Sequence, residues 1–343
     1  MTLRPRVLAG LAMIATAALG LAGCGSSTSG AASDKGTITV YNAQHESLTK
    51  EWIDAFTAET GIKVNYRQGD DTEMSNQIVQ EGANSPADVF LTENSPAMTQ
   101  IENAGLFADI DPATVTQVPA EYRPSTNKWI GIAARSTVFV YNKDKLSQDK
   151  LPKSLMDLQN PEWNGRWSAS PSGADFQAIV SAMLELKGEA ATKTWLTALK
   201  NNAKTYKGNS TAMKAVNSGE VDGAVIYHYY WFGDQAKTGE NSKNVGVEYF
   251  KNQDPGAFVS ISGGGVLKSS KNQAAAQQFL KFVTGKKGQE VLQKGTSFEY
   301  AVGSQVPSNE KLVPLSELNA PKIDPAKLNS QKVNQIMTAT GLL

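Results

Sequence analysis

Apolar and polar positions alternate over residues 37–41 (Thr-Ile-Thr-Val-Tyr), then recur at helical spacing at Leu48, Trp52, Ile53 and Phe56. The first pattern predicts a strand, the second a helix that Gly61 stops. A second strand over 62–66, a helix over 72–82, a short buried strand over 88–91 and a helix from about 96 to 105 follow. This β-α rhythm predicts an α/β fold on a parallel sheet with helices on both faces. In such sheets ligands bind beyond the carboxyl ends of the strands. His45 and Glu93 occupy that kind of position.

The rhythm continues less regularly. Residues 131–141 read as extended chain leaving a first domain, and 151–167 are rich in turns. Helices are expected after Pro171-Ser172-Gly173-Ala174 as far as Gly188, over 190–202 and over 211–218. A strand over 223–226 runs into Tyr227-His228-Tyr229-Tyr230-Trp231-Phe232. Residues 245–250 and 257–266 are extended, and Gly263-Gly264-Gly265 suggests a bend or crossover. Helices over 273–284 and 287–294, an irregular stretch over 299–328 and a terminal helix over 330–340 complete the chain.

Composition narrows the class. The 343 residues suit two domains, and 33 basic against 33 acidic side chains leave no electrostatic case for nucleic acid. Residues 1–23 have a charged start (Arg4, Arg6) and an alanine-rich apolar stretch, an export signal that is excluded from the fold. It ends Leu21-Ala22-Gly23-Cys24, similar to the lipobox of bacterial lipoproteins, which would make Cys24 a lipidated first residue. Cys24 is the only cysteine, so no disulfide forms within the chain. Residues 24–35 read as a flexible tether. The expected location is extracytoplasmic, with the membrane reached through the N-terminal lipid only.

The familiar enzyme motifs are absent: there is no G-x-S-x-G, no H-E-x-x-H and no phosphate loop. The polar candidates are His45, Glu93, Tyr229 and Tyr230. Oxygen donors with one imidazole suit a hard ion, and phenolates a trivalent one. One carboxylate, two phenolates and a neutral imidazole would neutralise Fe(III). Adjacent tyrosines can meet one ion only where the backbone changes type; the 226–231 stretch is such a junction, and Tyr227 should then point elsewhere. Plain packing of the tyrosines remains open on this pattern. Ser172-Gly173-Ala174 opens a helix and could seat an anion or simply cap it. Asn209-Ser210 is a weaker case of the same kind.

Thr39-Val40-Tyr41-Asn42-Ala43-Gln44-His45, Pro86-Ala87-Asp88-Val89-Phe90-Leu91-Thr92-Glu93 and His228-Tyr229-Tyr230-Trp231 resemble the ferric-iron-binding solute receptors of bacterial ABC importers. The likeness extends over nearly all of residues 36–310. It implies a two-lobed periplasmic-binding-protein type II fold, a transferrin-like Venus flytrap with two crossing hinge strands. The lobes would comprise residues 36–136 with 262–310, and 137–261 with 311–343. It implies Fe(III) held by His45, Glu93, Tyr229 and Tyr230, with phosphate or carbonate as synergistic anion on Ser172, Gly173, Ala174, Asn209 and Asn94. It also implies a monomer that delivers iron to an ABC permease. Tyr227 stands where some members have an anion-binding asparagine, and Ala301 where a proline is usual. His228 is expected to be structural. The alternatives are the same fold binding a polyamine, thiamine or a phosphonate; an envelope hydrolase, which no nucleophile–base pair supports; and a signalling receptor domain.

Overall fold

The computed structural model describes residues 36–343; the expected leader, tether and Cys24 lie outside the described residues. The first alternating stretch forms β1 (Thr37–Ala43), with Ile38 and Val40 fully buried. The helical repeat forms α1 (Glu46–Thr60), whose buried face carries Leu48, Trp52, Ile53 and Phe56. Gly61 ends it at φ 74°, its N–H bonded to the Thr57 carbonyl, a left-handed terminus that needs no Cβ. β2 (Lys63–Gln68), α2 (Asp71–Glu81), β3 (Val89–Thr92), α3 (Ser95–Asn103) and a short α4 (Pro112–Val115) follow. β1 pairs in parallel with both β2 and β3.

The next strand, β4 (Ile130–Asn142), is 13 residues long. After it come β5 (Trp167–Ala169), α5 (Ala174–Asn202), β6 (Ala203–Thr205), α6 (Asn209–Asn217), β7 (Gly223–Tyr227) and α7 (Tyr229–Lys237). Then come β8 (Val245–Tyr249), β9 (Val259–Val266), α8 (Gln273–Thr284), α9 (Lys286–Lys294) and α10 (Ser330–Ala339). The two helices expected on either side of Gly188 are the two arms of α5, which kinks there at φ 78°. Among the described residues no helix is long and apolar enough to cross a membrane.

The strand order is β2-β1-β3-β9-β4-β7-β5-β6, with β8 also on β4. The sheet is mixed where an all-parallel one was expected. β9 runs antiparallel to β3 and β4, and β4 antiparallel to β7 and β8. The chain leaves the first half along β4 and returns along β9, so the return strand must point the other way. β4 changes partners along its length: Ile130 to Ser136 lie on β9, and Thr137 to Asn142 on β7 and β8. Because alternate side chains face opposite ways, Phe139 enters the large core while Val138 and Val140 join a second cluster with Val216, Ala224 and Ile226.

The glycine run lies on the crossing strand β9 itself, opposite a register shift in β4 between Gly131 and Ala133. Gly263, Gly264 and Gly265 pair in register with Thr92, Leu91 and Phe90. Their bare backbone lets neighbouring side chains close onto the strand. A Cβ at Gly265 would lie 2.4 Å from Cε1 of Phe107, itself buried. Gly265→Ala should therefore destabilise the fold by about 1–3 kcal/mol, the usual cost of overpacking a full core. Urea unfolding checks this; an unchanged midpoint would show that the ring yields freely.

Candidate functional site

His45 is the residue before the first turn of α1, at φ −50° and ψ 122°, and its side chain makes no cap. A local knot sets its backbone: the Asn42 amide donates to the Gln44 carbonyl at 2.9 Å, and the His45 N–H donates to Gln44 Oε1 at 2.7 Å. The imidazole lies between two acids, Nε2 being 3.1 Å from Glu93 Oε1 and Nδ1 3.0 Å from Glu299 Oε1. Glu93 sits one residue past β3. Its N–H donates to Asp71 Oδ1 at 3.0 Å, and its carbonyl accepts from the Ser262 hydroxyl at 3.2 Å and from Arg135 Nη1.

Tyr229 and Tyr230 are the first two residues of α7, directly after β7. The backbone does change type there, and both phenols reach the same atom, each donating to Asp175 Oδ2 at 3.1 Å. Their rings lie 4.4 Å apart, and the His45 ring is 4.8 Å from that of Tyr229. Thus His45, Glu93, Tyr229 and Tyr230 come together. Among the described residues no group of three or more His, Cys, Asp or Glu is set for a metal ion; this cluster reaches four donors because two are tyrosines.

The expected anion seat is arranged differently. Asn94 and Asn209 do converge, but on Asp175: Asn94 Nδ2 donates to Oδ1 at 3.0 Å and Asn209 Nδ2 to Oδ2 at 2.9 Å. Gly173, not Ser172, precedes the first turn of α5, and its N–H is bonded to the Ser170 carbonyl at 3.0 Å. Ser172 is exposed, and Ala174 opens the helix. Tyr227 does not point away: its hydroxyl lies 3.3 Å from the Asp175 carbonyl and 3.4 Å from Asn94 Oδ1. Asp175 escaped the sequence reading because an acid in a helix's first turn looks like a complement to the dipole. Glu299 escaped it because it lies in a stretch read as irregular. His228 is structural: fully buried, with Nε2 2.7 Å from the Phe298 carbonyl.

Burial governs the protonation states. It pushes the Tyr229 and Tyr230 phenols far above their ordinary range, and the nearby Asp175 and Glu93 carboxylates add to the rise. For His45 burial pulls downward, but Glu93 and Glu299 outweigh it and lift the imidazole to about 9. Burial raises Glu93 to about 7 against the pull of His45 and Arg135, and raises Asp71 to about 6. Glu299 resists the same effect, because Arg135 and His45 hold it down at about 2. Burial pushes His228 down to about 4, against the upward pull of the Phe298 and Ser136 backbone and of Glu299. A cavity of about 400 Å³ adjoins the cluster, lined by Asp71, Asn94, Gln177, Ser330 and Asn334 among others.

Residues 84–329 match the model of a family described as bacterial extracellular solute-binding protein. The "Fe(3+)-binding periplasmic protein" of Serratia marcescens is 66% identical over 313 residues, 91% of this chain and 92% of that one. The "Major ferric iron-binding protein" of Neisseria meningitidis serogroup B is 36% identical over 297 residues, 86% and 89% of the two chains. Among solved structures, iron-bound HitA from Pseudomonas aeruginosa superposes with a TM-score of 0.84 at 42% identity, covering 89% of this chain and 99% of that one.

The pKa shifts fix a sign for pH dependence. The folded value of His45, about 9, lies above its ordinary 6.5. Its contribution to stability is therefore fully present below pH 6.5 and lost as pH rises through 9. Glu93 is also raised, from 4.5 to about 7, and acts in the same direction at lower pH. Chelator-treated protein should lose up to roughly 3 kcal/mol between pH 6.5 and 9 through His45. His45→Gln should flatten that slope in urea titrations at several pH values. An identical slope in the variant would place the pH dependence elsewhere.

Proposed function

The chain belongs to the bacterial extracellular solute-binding proteins, and from that premise we propose that it captures Fe(III) outside the cytoplasm and hands it to an ABC permease. The fold is the two-lobed type II fold of its structural relatives, and the chain is a binding protein, not an enzyme. One observation carries the iron reading: an imidazole, a carboxylate and two phenols from three separate segments converge beside two further carboxylates, Asp175 and Glu299. Phenols that burial holds protonated lose their protons only to a strong cation, and hard oxygen donors favour a trivalent one. Ionised Glu93 with two phenolates balances the charge of Fe(III), and His45 joins as neutral imidazole.

In this reading the lobes are residues 36–136 with 262–310 and residues 137–261 with 311–343. The change of partners along β4 between Ser136 and Thr137 supports that division. His45 and Glu93 then sit on one lobe and Tyr229, Tyr230 and Asp175 on the other, so hinge closure completes the site and iron biases the closed population. A lipid on Cys24 would tether this monomeric body to the membrane.

For the synergistic anion, the geometry favours an internal answer. Asp175 already brings a carboxylate to both phenols and to Asn94 and Asn209, so it takes the place of phosphate or carbonate. The first-turn amides of α5 keep an external anion on Ser172, Gly173 and Ala174 as the second reading.

Fe(III) added to purified protein should produce a visible tyrosinate-to-iron charge-transfer band. Tyr229→Phe and Tyr230→Phe should each shift or weaken it, and each should lower affinity by more than the roughly 10–100-fold typical of an outer-shell loss. The absence of any band in the wild type would sink the iron reading. In buffer free of phosphate and carbonate the wild type should still load, whereas Asp175→Ala should need the added anion. Wild-type loading that itself requires the anion would favour the second reading.

A further inference from the structure

We propose that Glu299 is the positioning residue for His45: its Oε1 accepts the hydrogen bond of Nδ1–H, so that Nε2 is the nitrogen offered to the metal. The inference rests on the iron-binding reading above. Glu299 is fully buried. Its Oε2 is fully engaged, accepting from Arg135 Nη2 at 2.5 Å, from the Ser262 hydroxyl at 3.2 Å and from Gln44 Nε2 at 3.3 Å. Its Oε1 is buried without an aligned hydrogen bond, yet lies 3.0 Å from His45 Nδ1. That contact is close but off the line of the N–H. A counter-ion for Arg135 would need only Oε2. The other ring nitrogen, Nε2, faces Glu93, on the side of the remaining donors.

The segment that carries Glu299 is held at a cost. Phe298 sits at φ 54°, where a bulky residue is a backbone outlier that surrounding contacts must maintain. Its carbonyl is gripped by His228 Nε2 at 2.7 Å. His228, next to the proposed tyrosine ligands, therefore has a task of its own: it keeps Phe298 where Glu299 meets His45. Carboxylates behind metal-bound imidazoles commonly fix tautomer and ring orientation in this way.

Glu299→Gln makes the test sharp. The Arg135 guanidinium demands the amide oxygen, which turns the NH₂ toward Nδ1. An NH₂ donates, so Nδ1 must accept and Nε2 keeps its proton, which removes it as a ligand. The chain has only two histidines, so ¹⁵N-histidine spectra of protein loaded with diamagnetic Ga(III) resolve His45 against His228. The wild type should carry the His45 proton on Nδ1. The variant should carry it on Nε2 and lose about 10–100-fold in Fe(III) affinity, while the tyrosinate band persists. A proton on Nε2 in the Ga(III)-loaded wild type would overturn the proposal. So would a variant that keeps the proton on Nδ1 and binds iron within twofold of wild type. Should the variant fail to fold, the wild-type spectrum decides. A wild type with no tyrosinate band and no Ga(III) uptake would instead bring down the iron reading, and this inference with it.

Discussion

Arg135 is a guanidinium with no access to water, placed on β4 one residue before that strand changes partners. Burial disfavours its charge, but Glu299 and then Glu93 more than offset that. One arm binds the Glu93 carbonyl and the other binds Glu299 and Gln44. The group also lies 5.5 Å from the centre of the Tyr229 ring. A single buried cation thus ties together the end of β3, the turn before α1, the crossing strand and the segment around Glu299. Removing one partner of such a pair typically costs about 3–5 kcal/mol, because the other charge is left uncompensated. The same cation lets Glu93, Asp71 and Glu299 share a dry site, since it lowers all three. It does not compete with a bound metal at full strength, because Glu299 neutralises it.

Asp175 gathers a second set of polar groups. Four side chains donate to its carboxylate: both phenols, Asn209 and Asn94. Asn94 also donates to Asp71 at 3.0 Å, so one amide links carboxylates from β3's neighbourhood and from α5. The phenols that bond to Asp175 are the groups that would surrender protons to a metal. Closure around protons and closure around a cation can therefore use the same atoms, which keeps the geometric change between them small. Binding coupled to proton release follows from that sharing.

The sequence was legible where the information is local. Alternation located β1, helical spacing located α1, and Gly61 and Gly188 marked where helices stop or kink. Strand direction was not legible, because β9 as a sequence says nothing about which way it returns; its polarity is set by β4, more than a hundred residues earlier. The Tyr229–Tyr230 junction could be inferred from the end of an apolar run, and the structure places both phenols on one oxygen. Tyr227 broke the rule that predicted it: it was expected to point elsewhere, but its phenol reaches the Asp175 carbonyl and Asn94. Ser172 and Ala174 looked like an anion seat because amides at a helix start always do. The carboxylate that gathers the phenols and amides, Asp175, was one position further on.

In the proposed iron site, charge would account for selectivity as well as affinity. Burial raises the cost of ionising Tyr229 and Tyr230, and each existing carboxylate raises it further. A divalent ion beside Glu93 could balance only one of the two phenolates, so the second would stay protonated and remain a poor ligand. On the proposed reading, a trivalent ion would balance Glu93 and both phenolates, with Asp175 as the accompanying anion, and only then would the full donor set form. On the proposed iron-binding reading, this desolvated setting would be the source of discrimination: it would keep the tyrosines unavailable to any cation too weak to take both protons. Asp175, bonded to both phenols, sharpens the effect, because an ion that frees only one phenol leaves the other still anchored to the carboxylate.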